Sequence, residues 1–184
     1  MNFGQIELHT ERLCLREIRL DDAEDFFEIY SDPEALTYWG EPPITRHAEA
    51  IEMIAKRIKW WDTGDSICLA VEERTTNKMI GTISVFSFHR DSRRAEIGYI
   101  LHRDFWRKGF ATEAVKETIN YVFTELKLNR LEADIEPANA ASAALLQKLH
   151  FVCEGRLRQR WIVSGRVSDS DIYGLIASDW ASAN

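Results

Sequence analysis

The hydrophobic positions of this 184-residue chain recur with two spacings, one typical of helices and the other typical of strands. Apolar residues three or four positions apart predict amphipathic helices at 20–30, 46–61, 111–126 and 139–149. Shorter alternating runs predict strands at 6–18, 66–73, 79–88, 94–101, 129–136, 151–163 and 166–177. Helices interspersed among strands indicate an α+β, or mixed α/β, fold. No repeat or linker-like stretch divides the chain, so a single domain over residues 1–184 is predicted.

Three local patterns refine this prediction. Two strand pairs form hairpins, one across the polar turn at 74–78 and the other around Ser164-Gly165. Asn139 stands where a helix cap is expected. Alternation in the strand at 94–101 predicts two faces, one with Ala95, Ile97, Tyr99 and Leu101 and the other with Glu96, Gly98 and Ile100. Tyr99 is therefore expected to pack in the sheet.

Composition narrows the class of protein. The chain is 45% hydrophobic and 29% charged, with a net charge of −7, which argues against nucleic-acid binding through a basic surface. No apolar run is long enough to cross a membrane, and no leader-like segment opens the chain, so a cytoplasmic protein without membrane contact is expected. The three cysteines are far apart, and no CxxC or HExxH spacing occurs, so no metal site is predicted.

The stretch WRKGFATEAV, residues 106–115, indicates an anion site at a helix start. A helix N-terminus has unpaired N–H groups and a partial positive charge. Gly109 lets an anion approach the backbone, and Arg107 and Lys108 add positive charge. The stretch contains neither GxxxxGK[ST] nor GxGxxG. A simple loop with solvated cations is the alternative.

Two longer segments, AEIGYILHRDFWRKGFATEAV and NRLEADIEPANAASAALLQKLHFVCEGRLR, resemble the GNAT superfamily of acetyl-CoA-dependent N-acetyltransferases, closest to its RimJ/RimL branch. The resemblance extends over nearly the whole chain. It implies a central, mostly antiparallel twisted sheet with one splayed strand pair and about four flanking helices. His150 stands where the family usually has a glycine, so a left-handed, strained residue is expected there.

The resemblance also implies a site for acetyl-CoA. Backbone groups of Tyr99, Ile100 and Leu101 would pair with the pantetheine arm. The pyrophosphate would lie on the loop made by Arg107, Lys108, Gly109, Phe110, Ala111 and Thr112. Asn139 would contact the pantetheine, and Ser142 would lie near the cofactor.

Direct attack of an amine on the thioester is the implied mechanism. Glu96 is the first candidate for a general base, acting through water, although an ordinary glutamate is too acidic for this unless burial raises its pKa. Glu96 could instead position the ammonium group or pair with Arg94. Ser142 is the candidate general acid, and capping of the helix backbone is its alternative role.

The acceptor is the least determined part of the function. Tyr38, Trp39 and Glu41, in the loop between the first two helices, are the predicted acceptor contacts. The acceptor could be a protein N-terminus, perhaps ribosomal by resemblance, or a small amine such as a polyamine, amino acid or antibiotic. A non-catalytic acyl-CoA-binding module is the third alternative, since the helix after Asn139 lacks a tyrosine. The family also makes a homodimer plausible. Arg156, Arg158 and Arg160 are expected on one solvated strand face.

Overall fold

A computed structural model describes residues 3–183, which form one eight-stranded sheet flanked by five α-helices. The strands are β1 (Glu7–His9), β2 (Leu13–Glu17), β3 (Ile67–Glu73), β4 (Lys78–His89), β5 (Arg94–Leu101), β6 (Arg130–Ile135), β7 (Val152–Val163) and β8 (Arg166–Ile176). The helices are α1 (Ala23–Tyr30), α2 (His47–Thr63), α3 (Phe110–Thr124), α4 (Ala140–Lys148) and α5 (Ala177–Ala183), with 3-10 turns at Leu20–Asp22 and Arg103–Phe105. The predicted α+β class is confirmed.

The two ends of the chain differ from the predicted elements. The single strand predicted at 6–18 is two antiparallel strands, because Thr10 turns the chain and exchanges hydrogen bonds with Leu13. At the other end, α5 was not predicted. Its Trp180 is 95% buried, which shows that packing against the body of the protein accompanies this short helix. His150 has a φ of 66°, as expected for the position after α4.

The sheet has one parallel neighbour pair among its described strands. The order is β1-β2-β3-β4-β5-β6-β8-β7, and only β5 and β6 run parallel. They pair from Arg94 to Glu96 on β5 and from Arg130 to Glu132 on β6. Beyond these residues the strands separate, which confirms the predicted splayed pair. The gap lies beside the second half of β5.

The sheet separates two hydrophobic cores. β3 alternates between them: Leu69 and Val71 belong to the larger core, whereas Cys68 and Ala70 belong to the smaller. The larger core includes the apolar stripe of α3 and residues of α4 and α5, and the smaller includes buried residues of α1 and α2. The helical periodicities therefore identified the faces that pack on the sheet. None of the described helices combines the length and apolarity that a membrane crossing requires.

A buried ionic group joins the sheet to the start of α1. Arg16 on β2 donates to both carboxylate oxygens of Asp22 at 2.7 and 2.9 Å, and its Nε donates to Glu72 at 2.7 Å. Asp22 also accepts from the backbone N–H of Arg19 at 2.7 Å. Removing one partner from such a group leaves a buried charge incompletely paired, which is costly.

We expect Asp22→Ala to lower the free energy of unfolding by about 3 kcal/mol, because Arg16 loses its bidentate partner. Urea denaturation monitored by circular dichroism measures this change. Asp21→Ala is the matched control, since Asp21 is the exposed neighbouring carboxylate. Equal effects of the two substitutions would contradict a stabilising role for the buried group.

Candidate active site

Two cavities lie at the place where β5 and β6 separate. The first, the α3 cavity, has a volume of about 640 Å³ and is lined by the start of α3, the start of α4 and the end of β5. The second, the hairpin cavity, has a volume of about 690 Å³ and is lined by β4, β5 and the β7–β8 hairpin. Tyr38 and Trp39 line both cavities. A molecule in each cavity could therefore meet the other at their common boundary.

The α3 cavity collects most of the residues predicted to hold the cofactor. Lining it are Tyr99, Ile100, Leu101, Arg107, Gly109, Ala111, Thr112, Asn139 and Ser142. Two of the predicted residues, Lys108 and Phe110, are not among the described residues that line it. The Lys108 ammonium group lies 5.6 Å from the centre of the Phe105 ring, and Phe110 is buried in the larger core. Phe105 itself lines the cavity, and the side-chain positions do not test contacts made by the loop backbone, so the predicted cofactor contacts of Lys108 and Phe110 stay predictions.

The loop before α3 has the backbone geometry of an anion site. Arg107 and Gly109 are both left-handed, with φ values of 59° and 84°. Gly109 is the N-cap of α3, so the N–H groups of the first helical turn have no earlier turn to pair with. Because Gly109, Ala111 and Thr112 line the cavity, this turn can donate to an anion there. The arrangement fits a pyrophosphate group.

Arg12, a residue that the sequence analysis did not identify, forms hydrogen bonds with this loop and with the first turn of α3. Its Nη1 donates to the Lys108 carbonyl at 2.9 Å, and its Nε donates to Glu113 at 2.7 Å. Glu113 also accepts from the Thr10 hydroxyl at 2.6 Å. A Cβ added to Gly109 would lie 3.3 Å from Arg12 Nη2. The guanidinium group therefore fixes the loop and leaves little room for a side chain at position 109.

A hydroxyl group at the start of α4 contacts a hydroxyl group of β5. Asn139 is the N-cap, as predicted, and its side chain accepts from the Ser142 N–H at 3.1 Å. The Ser142 hydroxyl does not cap the helix but lies 2.7 Å from the Tyr99 hydroxyl. Burial raises the pKa of Tyr99 to about 12, against a smaller lowering by the hydrogen bond to Ser142. Tyr99 packs against the larger core as predicted, yet its hydroxyl reaches α4.

The hairpin cavity contains the predicted base and the predicted acceptor residues. Tyr38, Trp39, Glu41 and Glu96 all line it. Burial raises the pKa of Glu96, and the negative charges of Asp134 and Glu132 raise it further, whereas a hydrogen bond with Ser87 and the charge of Arg160 lower it. The pKa of Glu96 is therefore shifted in the direction that a general base requires.

Arg94 does not pair with Glu96, which was one of the alternatives. Its Nη1 donates to Glu132 at 2.8 Å instead. The reason is the parallel pairing of β5 with β6, which aligns Arg94 with Arg130 and brings Glu132 alongside. Glu96 is therefore left facing the hairpin cavity.

Two of the three arginines of β7, Arg156 and Arg160, are paired with carboxylates, whereas Arg158 is exposed as predicted. Arg156 donates to Asp171 at 2.6 Å, and Arg160 donates to Asp134 at 2.8 Å. The strand is irregular between Leu157 and Trp161, so strict alternation does not hold there. Arg160 and Asp134 both line the hairpin cavity, which the sequence did not reveal.

Another cavity residue that the sequence left unassigned is Arg57 on α2. Its guanidinium group lies 5.0 Å from the centre of the Phe26 ring and donates to the Met53 carbonyl at 3.1 Å. The sequence does contain a signal for Arg57, because this charged residue lies on the apolar face of a predicted helix.

The absence of a metal site stays a prediction. Potential donor atoms of Glu7, His9 and Cys14 lie within 4.8 Å of one another on β1 and β2. None of these three residues lines either cavity described above.

Comparison with known proteins agrees with the site. Residues 12–152 match the family described as the acetyltransferase (GNAT) domain. An uncharacterized N-acetyltransferase, p20, of Bacillus licheniformis is 39% identical over 174 residues, which cover 95% of this chain and 98% of that protein. The chain therefore belongs to the GNAT family and is an acetyl-CoA-dependent N-acetyltransferase.

Solved structures share the fold. Ribosomal-protein-S5-alanine acetyltransferase from Vibrio fischeri is 24% identical, with a TM-score of 0.81 and coverage of 95% of this chain and 98% of that one. Spermidine N-acetyltransferase from Vibrio cholerae, in complex with CoA and spermine, is 23% identical, with a TM-score of 0.82 and coverage of 94% and 99%. Both structures show that the fold is shared.

We expect Arg12→Ala to weaken CoA binding about tenfold, because the loop before α3 loses the guanidinium group that fixes it. Isothermal titration calorimetry measures the Kd. Arg90→Ala, at an exposed position in the β4–β5 turn, serves as the control. Circular dichroism checks that both variants are folded, and a folded Arg12→Ala protein with an unchanged Kd would contradict the role given to Arg12.

Proposed function

We propose that this enzyme acetylates the α-amine of a protein N-terminus at the boundary of the two cavities, with Glu96 as the general base. One observation carries this proposal: residues of β5 line both cavities within a span of four positions. Glu96 lines the hairpin cavity, Gly98 follows, and Tyr99 lines the α3 cavity. At about 3.3 Å per residue, Glu96 and Tyr99 are about 10 Å apart along the strand, and this distance leaves room for a thioester and an amine.

The chain provides mainly positioning and charge for the reaction. Acetyl-CoA, when bound, supplies an activated acetyl group as a thioester. The loop before α3 would bind its pyrophosphate, and the backbone of Gly98 and Tyr99 would align the acyl end where β6 no longer pairs with β5. Glu96 would accept, through water, the proton that the amine loses. Its raised pKa brings the carboxylate nearer to the range of an effective base.

The surface around the hairpin cavity favours a peptide over a small free amine. Trp161 lines the cavity and is 48% exposed. Val163, two positions further along β7, lines the cavity as well, because alternate residues of a strand share a face. These two apolar side chains offer contacts to residues that follow an acceptor amine. A small polyamine would not extend onto this surface.

A small cationic amine is the second candidate acceptor. The hairpin cavity is lined by the carboxylates of Glu41, Asp65 and Glu96. Carboxylates attract the charged nitrogens of a polyamine, and one protein that shares this fold is a spermidine N-acetyltransferase. Another acts, by its name, on a ribosomal protein. A cytoplasmic location and a homodimer stay predictions, and sedimentation of the purified protein tests the latter.

We expect kcat/KM to fall as the pH falls through the raised pKa of Glu96, because the carboxylate is the active form and protonation removes it. Glu96→Gln should lower kcat at least about tenfold and remove this acidic limb. A steady-state pH profile of CoA release measures both. Glu52→Gln on the exposed face of α2 is the control. If Glu96→Gln raises KM for the amine but keeps kcat and the limb, Glu96 positions the ammonium group instead.

We expect peptides with free N-termini to be acetylated and spermidine to be a poor acceptor. Trp161→Ala should lower kcat/KM for a peptide about fivefold, since an apolar contact of about 1 kcal/mol is lost. Ile162→Ala, at a 71% exposed position on the opposite face of the same strand, is the matched control. Mass spectrometry of the products identifies the acetylated amine. If the peptides are not acetylated and a polyamine is, the acceptor is a small amine and not a peptide.

A further inference from the structure

A guanidinium group that no carboxylate neutralises forms part of the wall of the hairpin cavity. It belongs to Arg57 on α2. We infer that Arg57 binds a carboxylate of the acceptor, carried by the side chain of the second or third residue of the peptide. The inference rests on the proposed acetylation of a protein N-terminus and defines which peptides the enzyme prefers. Arg57 would contact the substrate away from the reacting atoms, so it would determine specificity.

The charge of Arg57 differs in its surroundings from the charges of Arg160 and Arg166, which line the same cavity. Those two arginines are neutralised by ion pairs with Asp134 and Glu136. Among residues 3–183, no carboxylate forms an ion pair with Arg57. A partly buried cation without such a partner favours an anionic group that enters the cavity.

The groups that do contact Arg57 are uncharged. Its Nη1 donates to the Met53 carbonyl at 3.1 Å, and its guanidinium carbon lies 5.0 and 5.3 Å from the ring centres of Phe26 and Tyr30. Burial raises the pKa of the Cys68 thiol, whereas the charge of Arg57 and a hydrogen bond with it lower that pKa, so the two groups are neighbours. Stacking on aromatic rings fixes a planar guanidinium group, whose five N–H donors match the two oxygens of a carboxylate.

The register of three strands places Arg57 at a defined distance from the acyl end. Cys68 on β3 is opposite Ser84 on β4, and Ser84 is opposite Gly98 on β5. Neighbouring strands are about 4.8 Å apart, so the row from Cys68 to Gly98 spans about 10 Å. All three residues line the hairpin cavity, and Gly98 precedes Tyr99, where the proposed reaction takes place.

The length of this row sets the position of the acid in the peptide. An extended peptide advances about 3.3 Å per residue, so about 10 Å corresponds to about three residues. The side chains of Arg57 and of the acid cover part of that distance. With the acceptor amine at the boundary of the two cavities, the carboxylate therefore belongs to the second or third residue.

Arg57 also bears on the choice between the two candidate acceptors. A polyamine has no carboxylate, and the guanidinium group would repel its charged nitrogens. Glu41 lines the same cavity, and its negative charge acts on Arg57 without an ion pair between them. An acidic peptide would supply the direct contact that Glu41 does not make.

The test compares pairs of peptides that differ only by aspartate or asparagine at the second or third residue. For the wild-type enzyme, kcat/KM should be about tenfold higher for the aspartate peptide at one of these positions, because a charge-assisted hydrogen bond is gained. Arg57→Gln should reduce this preference to within about twofold, through a loss on the aspartate peptide. Lys59→Gln, which removes an exposed positive charge from the same helix, is the matched control and should keep the preference.

The preference is a ratio of two rates measured on one enzyme, so a general loss of stability cancels from it. Arg57→Lys keeps the charge without the planar donor group and should retain an intermediate preference, which gives a second comparison if Arg57→Gln does not fold. A wild-type enzyme without preference at either position would overturn the inference, and so would a preference that both Arg57 variants retain in full.

The outcomes separate this inference from the proposed function. If the peptides are acetylated without regard to the acid, the carboxylate site fails and the peptide acceptor stands. If no peptide is acetylated, the same variants are compared on 6-aminohexanoate and its carboxamide. A preference for the carboxylate that depends on Arg57 would then support the site without the peptide, and equal rates would overturn both.

Discussion

The site depends on one constraint in the sheet, the early end of the parallel pairing between β5 and β6. The pairing starts at Arg94 and Arg130 and ends at Glu96 and Glu132, whereas β5 continues to Leu101. A strand that loses a neighbour leaves backbone polar groups that need other partners. Both cavities are lined by the part of β5 around this separation, so the same feature that interrupts the sheet provides the binding surfaces.

The loop before α3 illustrates how distant residues maintain an unfavourable local geometry. A left-handed Arg107 is uncommon for a residue with a side chain, and Gly109 follows in the same region. Arg12 and Glu113 connect the β1–β2 turn to this loop and to the first turn of α3. Their hydrogen bonds stabilise the loop conformation in which the helix N–H groups face the cavity.

Charge is distributed unevenly over the hairpin cavity. Two of its carboxylates, Asp134 and Glu136, are paired with Arg160 and Arg166. Within residues 3–183, no arginine forms an ion pair of this kind with Glu96, and its partial burial raises its pKa. An arrangement in which some acids are neutralised by arginines and a partly buried acid is left facing the cavity is typical of sites that handle protons.

The sequence by itself determined the elements and the family. Helical periodicity identified the buried faces of α2, α3 and α4, and Asn139 was recognised as a cap because capping is a local interaction. The motif around Gly109 located the loop before α3 that lines the α3 cavity. The turn at Thr10 was missed because apolar residues on both sides of it read as one strand, and α5 was missed because its stability comes from the burial of Trp180.

Only the tertiary structure decided how these elements combine into a site. Arg12 and Glu113 are 101 positions apart, and Tyr99 and Ser142 are 43 positions apart. No local spacing encodes such contacts, since they arise when the sheet and the helices pack. The raised pKa of Glu96 has the same origin, because burial and the neighbouring charges of β6 and β7 exist only in the folded protein.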